Sequence, residues 1–163
     1  MSFRTKREKV ISARTSATSG TSTPKTVTEV DSVPLDEFEE LLIDLNITTA
    51  LVGTTPTMDI YLQRGLVPNP DPATDADWED IYAFLQIATS LVRHVTHLPL
   101  QRGEAVETAT GHSHMRTLEA LTADSVRIGY WGDQLRIREK MGGTVTTEAV
   151  YDLSVTGKLR SPK

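Results

Sequence analysis

The sequence contains no cysteine among its 163 residues. This absence excludes a disulfide framework, a thiolate-bound zinc site and a cysteine nucleophile. Aromatic residues make up only 6% of the chain. No apolar run approaches the ~18 residues that a membrane-spanning helix needs. The N-terminal segment also lacks the apolar stretch of a secretory signal peptide, so we expect no membrane partner and a cytoplasmic site of synthesis.

Sequence motifs that bind phosphates or carry a catalytic serine are also lacking. GxxxxGK[ST], GxGxxG and GxSxG do not occur. A Ser–His–Asp triad has no sequence signature of its own, because its members come together only in the fold. These absences predict a protein that is not an enzyme and carries no cofactor.

The length and the charge distribution point to one domain preceded by a basic segment. A chain of 163 residues is long enough to bury one sizeable core. Its net charge of −5 hides an asymmetry, because residues 1–31 hold six Lys/Arg against three Asp/Glu, whereas residues 32–90 hold one against eleven. We therefore expect an extended, basic, Ser/Thr-rich arm at 1–31 and a single helical (α+β) domain at 32–163.

The segment from Thr74 to Pro99 predicts a long central helix. Its apolar residues recur every three or four positions, as on one face of a helix: Trp78, Ile81, Leu85, Ala88, Val92 and Val95. Thr74 and Asp77 have the spacing of a capping box, and Pro99 would end the helix. A second apolar stripe beside the first predicts that this helix is buried on most sides.

The remaining segments complete a mainly α prediction with a small β part (α+β). Short helices are expected at 32–46, 58–64 and 113–123, the first from the apolar series that begins at Leu35 and Phe38. For 125–140 the pattern favours a C-terminal hairpin, with a helix as the alternative, because two interior glycines would cost a helix roughly 1 kcal/mol each. Gly142-Gly143 predicts a turn, and residues 144–155 predict an extended strand.

Basic residues in the arm and near the C-terminus form the candidate interface. Three readings stay open: a solvated face, a contact with the acidic part of a neighbouring copy, and phosphate contacts with a nucleic acid. The arm holds too few apolar side chains to order itself, so we expect neighbouring copies to hold it in a homo-oligomer. The candidate residues are Arg4, Lys6, Arg7, Lys9, Arg14, Arg127, Trp131, Arg136 and Arg138.

All four histidines lie within a short stretch of the chain. His94 and His97 would share a helix face, and His112 and His114 follow in a loop. That spacing is used by metal ligands. The interpretation we prefer is that His94 and His97 lie at the C-terminal end of the helix, where the helix dipole favours positive charge. No metal site is predicted.

One stretch resembles a helix of head–tail connector (adaptor) proteins of tailed phages. The stretch is DADWEDIYAFLQIATSLVRHVTHLPL, with Asp75, Asp77, Ala88 and 98–100 at the matching places, and LDEFEELLIDLNI resembles the shorter helix before it. The resemblance implies a ring-forming virion or capsid-associated component, assembled in the host cytoplasm, whose arms embrace neighbouring virion proteins and which performs no catalysis. A nucleic-acid-binding packaging protein is the alternative.

Overall fold

The computed structural model describes residues 5–17, 19–20, 25–27, 29–30, 33–99, 125–126 and 134–159. This part of the chain contains eleven β-strands, two short 3-10 turns and no α-helix. The strands form two antiparallel sheets that share one apolar core, together with a small two-stranded pair. The predicted mainly α fold with a helical core is therefore wrong, and the protein is a two-sheet β protein.

The strands follow one another along the chain with two 3-10 turns, Leu35–Glu37 and Asp75–Asp77, between them. Their bounds are β1 Thr5–Thr15, β2 Lys25–Val27, β3 Glu29–Val30, β4 Val33–Pro34, β5 Phe38–Thr49, β6 Val52–Gly65, β7 Trp78–Ala83, β8 Arg93–Pro99, β9 Ser125–Val126, β10 Leu135–Thr147 and β11 Val150–Leu159.

The two main sheets exchange strands at sharp corners. Sheet A is four-stranded in the order β1-β11-β5-β8, and sheet B is five-stranded in the order β2-β10-β6-β7-β9. The chain changes sheet between β5 and β6 and again between β10 and β11, with Leu51 and Ala149 fully buried at these two corners. Thr48 Oγ1 donates to the Val150 carbonyl at 3.1 Å, and Thr146 Oγ1 donates to the Val52 carbonyl at 3.2 Å. Both corners are thus fastened by threonine hydroxyls, and the strand pairs continue from one sheet into the other.

Alternation decides the conformation of β5, which the sequence predicts as a helix. Leu41, Ile43, Leu45 and Ile47 point into the core, and the residues between them are partly exposed. This period of two is that of a strand with one buried face. Leu41 and Leu45 fit a strand period of two residues as well as a helical period of three to four. The helical spacing through Phe38, Leu41 and Leu45 therefore does not indicate a helix.

The predicted central helix is instead a turn, a strand, a crossover and a second strand. Asp75–Asp77 forms the turn, β7 follows in sheet B, residues 84–92 cross over, and β8 lies in sheet A. All six residues of β7 are buried because neighbours cover both of its faces. A strand buried on both faces shows no alternation of burial. The acids Glu79 and Asp80 separate its apolar residues, so the spacing of Trp78, Ile81 and Tyr82 also fits one face of a helix.

Three further predictions need correction. Residues 58–64 lie in β6 and not in a helix, and Gly143 forms a bulge with φ 68° within β10 and not a turn. Of the hairpin predicted at 125–140, residues 127–133 lie outside the described residues. The described parts do not pair with each other, because β9 pairs with β7 whereas β10 pairs with β6 and β2. The helix predicted at 113–123 lies outside the described residues. The extended prediction for 144–155 agrees with the end of β10 and most of β11.

The N-terminal arm is also placed differently from the expectation. Thr5–Thr15 is the edge strand β1 of sheet A and pairs antiparallel with β11 of the same chain, from Thr5 opposite Lys158 to Thr15 opposite Val150. A neighbouring copy is therefore not needed to order β1. Sequence composition misses this pairing because backbone hydrogen bonds along an edge do not require apolar side chains.

Candidate functional site

The nine predicted interface residues do not form one surface in the described part of the chain. Arg136 and Arg138 lie two positions apart on β10, and Lys6, Arg7, Lys9 and Arg14 lie along β1 in the other sheet. Arg4, Arg127 and Trp131 lie outside the described residues. The structure thus brings the basic residues together only in pairs or along one strand.

Arg136 is fully buried and holds a loop onto the outer face of sheet B. Its Nε donates to Gln63 Oε1 at 2.6 Å, one NH group donates to the Pro72 carbonyl at 2.6 Å, and the other donates to Asp75 Oδ1 at 2.9 Å. The guanidinium also lies 4.7 Å from the ring centroid of Trp78. Burial lowers the pKa of Arg136, and the hydrogen bond with Asp75 opposes that shift. This side chain is a structural anchor within the isolated chain.

The loop that Arg136 anchors, residues 66–77, also supplies its own internal bonds. Asp71 accepts a 2.9 Å hydrogen bond from the Ala73 amide, and its carbonyl accepts one from Trp78 Nε1 at 2.8 Å. The predicted capping box is absent, because Thr74 makes no side-chain cap bond and the Asp77 carboxylate instead accepts from the Asp71 amide. Arg138 joins this loop through Asp75 at 2.9 Å.

Arg14 is engaged inside its own chain. Its Nε lies 2.5 Å from Glu139 Oε1, and Glu139 is fully buried and also accepts from the Tyr151 hydroxyl and from the Ala17 amide. Arg14, Glu139 and Tyr151 lie on β1, β10 and β11, so the cluster connects sheet A to sheet B. The pKa of Arg14 is raised even though burial, the largest single influence, lowers it, because Glu139 and Tyr151 together outweigh that penalty.

The other buried polar side chains also link neighbouring strands. Arg64 donates to Glu79 Oε2 from Nε at 2.8 Å and from an NH group at 2.5 Å, and Gln63 Nε2 donates to Asp80 Oδ1 at 2.6 Å. A charge taken out of water needs a partner of this kind to be tolerated. These pairs therefore serve the fold, and they explain how Glu79 and Asp80 are tolerated in the buried strand β7.

The two described histidines do not share a face. On a strand, positions 94 and 97 point to opposite sides, so His97 is exposed and pairs with Glu40 at 2.7 Å, whereas His94 is half-buried with its ring 6.2 Å from that of Phe84. His112 and His114 lie outside the described residues. Among the residues the structure does describe, no group of three or more His, Asp or Glu side chains could hold a metal ion.

Strand β8 is an edge of sheet A with one partner, β5, in the described part of the chain. The Ile47 amide donates to the Val92 carbonyl at 2.9 Å, which fixes the phase of the ladder. Because bonding alternates along an antiparallel pair, the backbone groups of Arg93, Val95 and His97 are directed away from β5. They bond to no other residue that the structure describes, so β8 offers an open row of donors and acceptors.

The outward side chains of this edge include the two most exposed large apolar residues of the described chain. Leu91, two residues before β8, is 63% exposed, and Val95, between Arg93 and His97 on the strand, is 56% exposed. The sequence had predicted that Val95 lies on the buried face of the central helix. The side chains at 91, 93, 95 and 97 alternate with those between them, which is a signal for a strand. The series is too short to distinguish a strand period of two from a helical period of three to four.

The charges on this edge are balanced within the chain. Arg93 binds both carboxylate oxygens of Asp44, at 2.8 and 2.5 Å, and His97 Nδ1 lies 2.7 Å from Glu40. Lys158 of β11 adds contacts with Glu39 at 2.8 Å and Glu40 at 3.6 Å. Strand β8 therefore carries a guanidinium and an imidazole that each have a carboxylate beside them.

We predict that replacing His97 by valine raises the pKa of Glu40 toward its ordinary value of 4.5. The pKa is lowered mainly by the hydrogen bond with His97, with burial opposing and Lys158 adding a smaller effect. Since the folded pKa is depressed, this interaction stabilises the protein above about pH 4.5 and is lost as the pH falls through the folded pKa. Carbon-detected NMR titration of Glu40 measures the change, and Lys158→Met should produce a smaller one. An unchanged Glu40 titration in the His97 variant would contradict the assignment.

The described structure defines the class of protein as an antiparallel, two-sheet β protein. Comparison with protein-family profiles, with curated proteins and with solved structures finds no match for this chain. No helix in the part of the chain that the structure describes is long and apolar enough to cross a membrane.

Proposed function

We propose that this protein is a non-enzymatic structural subunit that assembles with copies of itself. The observation that carries the proposal is the edge of sheet A at β8, where no other strand of the described residues pairs with the backbone groups of Arg93, Val95 and His97. Such an edge is a template for pairing with another strand unless the protein blunts it. Here the outward residues include the exposed Leu91 and Val95, so the edge favours association.

The usual protective devices are weak on this strand. Charged residues and proline on an edge normally prevent sheets from joining. Arg93 and His97 already have Asp44 and Glu40 as partners, and Pro99 lies at the very end of the strand. A second strand can approach without bringing unbalanced charge to the interface.

The buried polar groups support a structural role as well. Arg136, Glu139 and the Arg64–Glu79 pair connect strands or fix a loop, and each makes several bonds within the chain. Such anchors stiffen a scaffold. A subunit that must keep its shape in an assembly benefits from this stiffness.

A tailed-phage virion, built in the host cytoplasm, is the setting that we propose for the assembly, as a head–tail connector or a capsid-associated subunit. Its partners are then other copies and neighbouring virion proteins. The resemblance on which this setting rests was drawn over 75–100 as a helix. Residues 75–99 are a turn, a strand, a crossover and a strand, so self-assembly is better supported than the connector role.

We predict that Val95→Pro weakens self-association at least about tenfold in Kd, equivalent to ~1.4 kcal/mol. The Val95 amide is directed away from β5, so proline removes an outward donor and leaves the ladder of β8 with β5 in place. Sedimentation velocity over a range of concentrations measures the change. Leu66→Lys, at a residue 43% exposed on the 66–77 loop, serves as the control and should assemble normally. A wild-type protein that stays monomeric at high concentration would refute the proposal.

Nucleic-acid binding by the basic strand β1 is the second candidate. The observation that favours it is the run of Lys6, Arg7 and Lys9 on an edge strand. Binding of this kind falls steeply as salt rises, because cations are released from the phosphates. Electrophoretic mobility shifts with DNA and RNA at low salt test it, and the absence of any shift would eliminate it.

A further inference from the structure

We infer that two copies join through β8 in an antiparallel pair centred on Val95, related by a two-fold axis perpendicular to sheet A. This inference rests on the proposed self-assembly and specifies its register. The partner is a second copy of the same strand. In this register Val95 faces the Val95 of the other copy, and Arg93 faces its His97.

Backbone geometry restricts the choice of register. The outward donors and acceptors belong to Arg93, Val95 and His97, which are the odd-numbered positions of β8. A symmetric pair must therefore set odd positions opposite one another. Centring on Val95 gives every outward N–H and C=O of these three residues a partner in the other copy, and β5, β8 and their two equivalents then continue one antiparallel sheet.

The side chains favour the same centre. Val95 is 56% exposed in the isolated chain, and an apolar partner directly opposite would cover it. Each Arg93 arrives with Asp44 bound, and each His97 arrives with Glu40 beside it, so the guanidinium and the imidazole that face each other both have a carboxylate of their own chain as partner. A centre on Arg93 would set two arginines directly opposite one another.

A symmetric interface of this kind is isologous, because the same strand serves on both sides. It closes on itself and forms a dimer, and any larger assembly must use another surface. The edge strand β1 at the opposite side of sheet A remains outside this contact.

Cysteine crosslinking tests the register directly, since the natural chain contains no cysteine. Directly opposed residues whose backbone groups bond lie about 5.5 Å apart at Cα, within the range that a disulfide spans. Val95→Cys should therefore crosslink under mild oxidation. Its rate should exceed that of Leu66→Cys on the order of a hundredfold, because paired thiols have an effective concentration near millimolar.

A mixing experiment supplies a matched positive control. Arg93→Cys and His97→Cys should each fail to crosslink with themselves, because equivalent residues lie about 14 Å apart along the strand in this register. An equimolar mixture of the two should give a disulfide between unlike chains. Mass spectrometry of the non-reduced peptides identifies which pair has formed.

The outcomes separate this inference from the proposed function. If sedimentation shows an oligomer but neither Val95→Cys nor the mixture crosslinks above the Leu66→Cys rate, the register is wrong while self-assembly stands. If the wild-type protein is a monomer at all concentrations, both proposals fail. Crosslinking of Val95→Cys together with the mixed disulfide supports the Val95-centred pair, and crosslinking of Arg93→Cys alone would identify a different centre.

Discussion

Replacing Glu139 by alanine should destabilise the protein by about 3–5 kcal/mol, the largest effect that we expect from a single substitution. Glu139 is fully buried and accepts from Arg14, Tyr151 and the Ala17 amide. Its removal takes away the carboxylate that accepts hydrogen bonds from the partly buried guanidinium of Arg14 and the buried hydroxyl of Tyr151. Urea denaturation followed by circular dichroism measures the change.

A milder variant keeps this prediction testable if the alanine protein does not fold. Tyr151→Phe removes one hydroxyl from the same cluster and should cost about 1–2 kcal/mol. Burial, followed by the nearby Glu139 carboxylate, raises the pKa of Tyr151, so its hydroxyl keeps its proton and donates throughout the neutral range. Glu139→Ala no more destabilising than Tyr151→Phe would show that the carboxylate does not hold the sheets together.

Replacing Arg136 by leucine should cost about 2–4 kcal/mol and release the 66–77 loop. The substitution leaves Gln63, the Pro72 carbonyl and Asp75 without their shared donor, and it removes the cation over Trp78. Urea denaturation gives the stability, and limited proteolysis near residue 71 reports the freed loop.

Arg138 provides the matched control for this second prediction. It lies two residues away on the same strand and also pairs with Asp75, but its side chain is 28% exposed whereas that of Arg136 is 0% exposed. A partly exposed pair contributes about 0–1 kcal/mol. Arg138→Leu should therefore have a small effect, and equal losses in the two variants would contradict the structural role of Arg136.

The sequence predicted burial correctly only for the first half of the 74–99 segment. Trp78 and Ile81 were expected to be buried, and they are, but in a strand, whereas Leu85, Ala88 and Val95 of the same predicted stripe are exposed. In β5 the same leucines satisfy a period of two and a period of three to four, so apolar spacing alone could not decide. The alternation that runs on through Ile43 and Ile47 was the better guide.

The roles of the charged residues depend on contacts that are distant in sequence. Arg136 and Asp75 are 61 residues apart, and Arg14 and Glu139 are 125 residues apart. No local sequence pattern predicts such pairs, so Arg136 was assigned to an interface surface although it is buried. The burial of Glu79 and Asp80 was missed for the same reason, because their partners lie on the neighbouring strand β6.

The open edge was also missed, for a related physical reason. An edge is defined by which strand lacks a neighbour, and strand order is a property of the whole sheet. The outward residues of β8 have no distinguishing pattern in the sequence, since Val95 also fits the predicted helical stripe. Only the pairing of β8 with β5 reveals that the backbone groups of Arg93, Val95 and His97 are unused within the described chain.

Residue-resolved amide hydrogen exchange at several protein concentrations tests the assembly claim most directly. The amides of His94 and Thr96 bond to β5, so we predict that they are protected at every concentration. The amides of Arg93, Val95 and His97 should exchange quickly in dilute protein and become protected as the concentration rises. If these three amides stay unprotected while the protein associates, β8 is not the strand through which the copies join.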